Sequence, residues 1–121
     1  MTTHRSARVL IIEDDPFIAL DMQDIVEDAG YHVIGPCASP VDAIALLERD
    51  GPPDCALMDF HVRGGTTEPV ARRLDTMDVP YVFVTANRCE VLAALPSRDP
   101  MVRSKPVPPS RILEDVSLML A

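Results

Sequence analysis

The chain has 121 residues, 47% hydrophobic and 25% charged, with a formal charge of −8, which excludes a disordered chain and suits one packed domain needing no metal or disulfide staple. The acidic balance and the lack of any Lys/Arg run exclude direct binding to a nucleic-acid backbone, which relies on clustered cations. Apolar stretches of about six residues fall far short of the roughly 20 that cross a bilayer, and MTTHRSAR lacks a signal-peptide core, so the expectation is a cytoplasmic protein with no membrane contact.

The chain then alternates between two periodicities. Residues 8–12, RVLII, form a β-branched apolar run expected as a strand after a short extension at 1–7. Ile18, Met22, Ile25, Val26 and Ala29 follow on one helical face, and Gly30 ends that helix. YHVIG at 31–35 reads as the second strand. Ser39-Pro40-Val41-Asp42 opens the second helix, with Ser as cap, Pro at the first helical position and Asp suited to the helix dipole; Val41, Ile44 and Ala45 are expected inside.

After a GPPD turn comes the strand CALMD, a Gly64-Gly65 loop, and a helix from about Thr67 that turns Val70, Leu74 and Met77 inward and Arg72 and Arg73 to water. VPYVFVTA at 79–86 is the most strand-like segment. A short helix with Val91, Leu92 and Leu95 precedes Pro96. PMVRSK at 100–105 reads as a fifth strand, and PPSRILEDVSLMLA as a closing helix with Ile112, Val116, Met119 and Leu120 on one face. Strands alternating with helices imply a parallel α/β sheet covered on both faces by right-handed crossovers. The expected organisation is a single domain over 1–121 with no residues left for an output domain.

Cys37, Cys55 and Cys89 form no C-x-x-C pair and are odd in number, so they read as small core residues rather than a disulfide framework. His4, His32 and His61 lack zinc-ligand spacing.

The stretch CALMDFHVRGG raises the functional question, because an apolar run suited to burial ends in a carboxylate, Asp59, and a buried charge is costly unless paired. Ligands of open α/β sheets sit beyond the carboxyl ends of the strands. At those ends stand Glu13-Asp14-Asp15, Asp59, Thr85 and Lys105. Each has an ordinary structural explanation: the acidic trio suits a helix N-terminus, Thr suits a strand, and Lys suits the surface. Independent structural needs would not gather all of them at one edge. Like charges about 4 Å apart repel by roughly 4 kcal/mol near a surface. Lys105 cancels one of the three negative charges on Glu13, Asp14 and Asp59, and a hard divalent cation such as Mg²⁺ fits the remainder.

VLIIEDDP, LMDF, VFVTAN and SKP, in this order and spacing, resemble the receiver domain of bacterial two-component response regulators, stand-alone receivers in particular. The resemblance covers the whole chain and implies the flavodoxin-like strand order 2-1-3-4-5. It implies that Asp59 accepts a phosphoryl group, that Asp14, Asp59 and the main-chain carbonyl of His61 ligate Mg²⁺, and that Glu13 acts largely through a water on the metal. Asp15 is then a neighbour. Thr85 and Lys105 would each hold a phosphoryl oxygen. The implied donor is a histidine kinase or histidine phosphotransfer protein, the output is contact with an unknown downstream protein, and the only chemistry catalysed is the chain's own phosphorylation and dephosphorylation.

The sequence departs from the family where Arg63-Gly64 replaces a common Pro-Gly turn, where Val102 stands at the usual aromatic switch position, and where Val107 follows Lys-Pro in place of Phe. An unphosphorylated scaffold is an alternative. A haloacid-dehalogenase-type phosphatase resembles D-x-D, whereas His61 stands two residues after Asp59; an FMN binder needs a phosphate loop that EDDPF would repel.

Overall fold

In the computed structural model, which describes residues 6–95 and 100–121, the strand β1, Arg8–Ile12, is the middle of the architecture. Its four apolar residues Val9, Leu10, Ile11 and Ile12 are fully buried. Successive strand side chains point to opposite faces, so such a run requires cover on both sides. Leu10 and Ile12 pack into one apolar layer, Val9 and Ile11 into the other.

The chain continues through α1, Pro16–Asp28, β2, His32–Cys37, α2, Pro40–Asp50, and β3, Cys55–Met58. A two-residue-per-arm hairpin follows, β4, His61–Val62, with β5, Gly65–Thr66, and then α3, Glu68–Thr76. The remainder is β6, Tyr81–Thr85, α4, Arg88–Ala94, β7, Met101–Ser104, and α5, Pro109–Leu120. The sheet order is β2-β1-β3-β6-β7, with every pairing parallel. It differs from the expected 2-1-3-4-5 only because the small hairpin adds two strands to the numbering. Met22 and Val26 of α1 share one layer with Ile112 and Val116 of α5, while α2, α3 and α4 cover the other face through Leu47, Leu74 and Val91.

Several local expectations shift. In α1 the buried stripe is Ala19, Met22 and Val26; Ile18 and Ile25 flank it, and Ala29 is the exposed C-cap just before Gly30, which takes a φ of +96°. β2 runs on to Cys37, because its register against β1 slips between Leu10 and Ile12. The inner face of α2 is Pro40, Ala43 and Leu47, while Val41 is 76% exposed and Ala45 faces water. Apolar residues alone mis-set that face; the Ser39 hydroxyl, which accepts from the Asp42 amide at 3.2 Å, sets where the helix starts. In α3, Ala71 joins Val70 and Leu74 in the core and Met77 becomes the cap. α4 buries Val91 and exposes Leu92, while Leu95, its C-cap, is buried.

Cys37 and Cys55 are buried, and burial pushes the Cys55 thiol up to about 12, so it stays protonated; Cys89 is exposed, contrary to the core reading. His4 and Pro96 lie outside the described residues. Among the described residues no helix is long and apolar enough to cross a membrane.

One buried charge was not anticipated. Asp115, on the inner face of α5, is 1% exposed and accepts two hydrogen bonds of 2.8 Å from the guanidinium of Arg103 on β7. This fork geometry is the strong form of the pair. Hydrogen bonding to Asp115 raises the pKa of Arg103. The two partners are not equivalent, since the Arg103 side chain is 31% exposed and can rehydrate, whereas that of Asp115 is at 2%. Arg103→Met should therefore destabilise by about 3–5 kcal/mol, the cost of an orphaned buried charge. Asp115→Asn should cost only about 1–3 kcal/mol. Urea unfolding of the two variants checks the order.

Candidate functional site

Parallel strands leave the sheet at a common edge, and here each main-chain ladder continues one bond beyond its strand. The Glu13 amide donates to Cys37 O, the Asp59 amide to Ile12 O, and the Lys105 amide to Thr85 O, all at 2.9 Å. Those bonds fix the backbone at the polar residues that follow β1, β3 and β7.

Glu13, Asp14 and Asp59 converge, with one carboxylate oxygen from each lying within 4.8 Å of the others. Glu13 is 3% exposed and Asp14 and Asp59 are half-buried. Lys105, the only lysine in the chain, places its Nζ 2.8 Å from Glu13 Oε1 and 2.8 Å from Asp59 Oδ2. Three carboxylates against one ammonium leave two negative charges. A donor set made wholly of carboxylate oxygens with that excess fits a hard divalent cation such as Mg²⁺.

Asp15 does not join them. It caps α1, its Oδ1 accepting from the amides of Phe17 at 2.9 Å and Ile18 at 3.3 Å, while its own amide donates to Glu13 Oε2 at 3.2 Å. Thr85 ends β6 at 2% exposure, and its hydroxyl accepts from the Asn87 amide at 3.2 Å rather than meeting the carboxylates. The His61 imidazole is turned to Glu90 on α4, so the chain segment after Asp59 is tied to that helix. Arg63 lines a groove of about 520 Å³ that also opens on Glu13 and Asp14.

Two contributors escaped the sequence reading. Thr67 was read only as a helix start, yet it is fully buried and its hydroxyl donates to the Asp59 carbonyl at 2.8 Å. Glu90 carried no signal at all, because its partner His61 lies 29 residues away. A buried threonine beside a Gly-Gly turn is a weak clue; a surface glutamate is none.

With this geometry the comparison with known proteins is decisive: residues 9–117 match the response regulator receiver domain. The chain belongs to that family. The phyllosphere-induced regulator PhyR of Methylorubrum extorquens is 29% identical over 117 residues, covering 95% of this chain and 44% of that protein. The PhyR receiver domain of Erythrobacter litoralis superposes with a TM-score of 0.84 at 28% identity, over 95% of this chain and 90% of that one. SdrG from Sphingomonas melonis gives 0.78 at 30% identity, over 96% and 98%. The chain spans less than half the length of the curated relatives it matches.

A receiver domain is a signalling module of two-component regulation rather than a classical enzyme, and this one carries an acidic pocket of the kind in which receivers bind Mg²⁺. The family membership displaces the phosphatase and flavin-binding alternatives.

Burial lowers the pKa of Lys105, but hydrogen bonds and charge from Asp59 and Glu13 outweigh it, and the net shift is upward. Its ion pairs therefore stabilise the fold fully below the ordinary lysine value of 10.5 and lose that contribution as pH rises through the higher folded value. Because there is one lysine, its side-chain amine can be followed alone. An NMR titration should place its midpoint above 10.5, and Asp59→Asn should lower it, since burial remains while one counter-charge goes.

Proposed function

We propose that Asp59 receives a phosphoryl group from a phosphohistidine of a histidine kinase or phosphotransfer protein, in a Mg²⁺-dependent reaction, and that the chain signals through protein contacts. The observation that carries this reading is the asymmetric hold on Asp59. Lys105 binds Oδ2 at 2.8 Å, while Oδ1 has no hydrogen bond among the described residues, and the Asp59 carboxylate lies against those of Glu13 and Asp14.

In the reaction, a carboxylate oxygen of Asp59 attacks phosphorus. The P–O bond forms as the P–N bond breaks, and the imidazole leaves with the electron pair and takes a proton from water. Glu13, Asp14, Asp59 and the main-chain carbonyl of His61 would hold Mg²⁺, which supplies charge neutralisation for the phosphoryl oxygens. Lys105, already against Asp59, turns its ammonium to one of those oxygens. A scaffold with no phosphoryl chemistry has no need of this arrangement, which costs carboxylate repulsion.

Thr85 links the event to the surface. Its hydroxyl accepts from the Asn87 amide, and Asn87 in turn caps α4 through the Glu90 amide at 3.2 Å. Turning that hydroxyl toward a phosphoryl oxygen disturbs the start of α4. Val102 is only 4% exposed and has no ring to swing, so the loop after Thr85 is the element that responds.

Two measurements test this. Incubation with Mg²⁺ and a small phosphodonor should add the mass of one phosphoryl group to the wild type and none to Asp59→Asn, read by intact-mass spectrometry; a gain in the variant would overturn the assignment. Adding beryllofluoride should shift NMR resonances across residues 85–95, whereas changes confined to the carboxylate cluster would defeat the loop mechanism.

A further inference from the structure

Asp59 stands one residue past the end of β3, where the pairing of β3 with β6 has already stopped at Met58 opposite Phe83. Its amide still reaches Ile12 O, but its carbonyl needs a partner from elsewhere, because a buried main-chain acceptor must be satisfied. That partner is the Thr67 hydroxyl, 2.8 Å away and eight residues along the chain. The Thr67 amide donates to the next carbonyl, Phe60 O, at 2.9 Å. One residue thus closes the loop 59–67 with two hydrogen bonds.

The position of Thr67 makes this use of its hydroxyl unusual. It occupies the N-cap of α3, where a threonine side chain ordinarily accepts from an amide of the first helical turn. Here no side-chain cap bond forms, and the nearby Thr66 hydroxyl accepts from the Glu68 amide at a long 3.4 Å instead. The helix start goes without its usual cap, and Asp59 is bound through both its amide and its carbonyl.

We propose that Thr67 is a positioning residue for phosphoryl acceptance: by locking the Asp59 carbonyl, its hydroxyl fixes the angle at which the carboxylate leaves the backbone. This rests on the reading of Asp59 as the acceptor. With both main-chain groups held, only the side-chain torsions of Asp59 remain free, and the Lys105 contact at Oδ2 restricts those. Without the hydroxyl, the 59–60 peptide can rotate, and the carboxylate and the loop bearing His61 move together. Displacements of this order slow reactions steeply, because rate depends on the attacking atom being aligned.

The test uses Thr67→Val, which keeps the shape and removes the donor, Thr67→Ser, which keeps the donor, and Val70→Ala, which weakens the buried face of α3 without touching the hydroxyl. In metal-free protein, the NMR signal of the Asp59 carbonyl carbon should move upfield in Thr67→Val and stay in Thr67→Ser. Phosphorylation by a small phosphodonor with Mg²⁺ should slow about tenfold in Thr67→Val, equivalent to about 1.4 kcal/mol of barrier, and remain near the wild-type rate in the other two.

A wild-type rate in Thr67→Val would overturn the positioning role alone. So would equal slowing in Val70→Ala, which would reduce Thr67 to a stability effect, or failure of serine to rescue. Should Thr67→Val not fold, Thr67→Ala against Thr67→Ser gives the same comparison. A wild-type protein that takes up no phosphoryl group would overturn the acceptor role of Asp59 and this inference with it.

Discussion

Because all five strands of the sheet run in one direction, the chain must leave each of them at the same edge, and it must return along a helix each time. Both faces are then covered, which is why β1 from Val9 onward and all of β3 can be apolar. The exit edge is the only place where polar residues can follow such strands without being buried inside the layers. Glu13, Asp59 and Lys105 are neighbours for that reason, although Glu13 and Lys105 are separated by 92 positions in the chain.

The cluster at that edge is a compromise between stability and chemistry. Three carboxylates within 4.8 Å of one another repel, and a single ammonium does not balance them. A stability-driven solution would pair each acid, as Arg103 of β7 pairs with Asp115 of α5. The residual charge of two is instead left at the cluster, where one divalent cation would restore balance. Asp15 shows the contrast within three consecutive residues: its carboxylate is engaged in capping α1 and contributes nothing to the excess.

Two connections run from the strand-exit edge toward α4, one through Thr85 and Asn87, the other from His61 to Glu90. They meet on the first turn of the same helix. Val102 is buried and too small to change much surface by moving, and under the proposed function this short helix is where a change at the site would reach the outside of the molecule.

The sequence by itself determined the elements and the edge. Fully apolar strands, helical stripes such as Met22 with Val26, and polar residues at strand ends are local patterns, and they held because period and position are properties of a single segment. It did not determine which groups would touch. The inner face of α2 turned by one position once Ser39 capped it and Leu47 found the core. Asp115 looked like any helix-surface acid until Arg103 was placed beneath it. Thr67 marked only the start of a helix until the backbone of Asp59 arrived within reach of its hydroxyl. These contacts join segments far apart in the chain, and their energies depend on distances that exist only after the sheet has closed; for that reason the tertiary structure alone decided them.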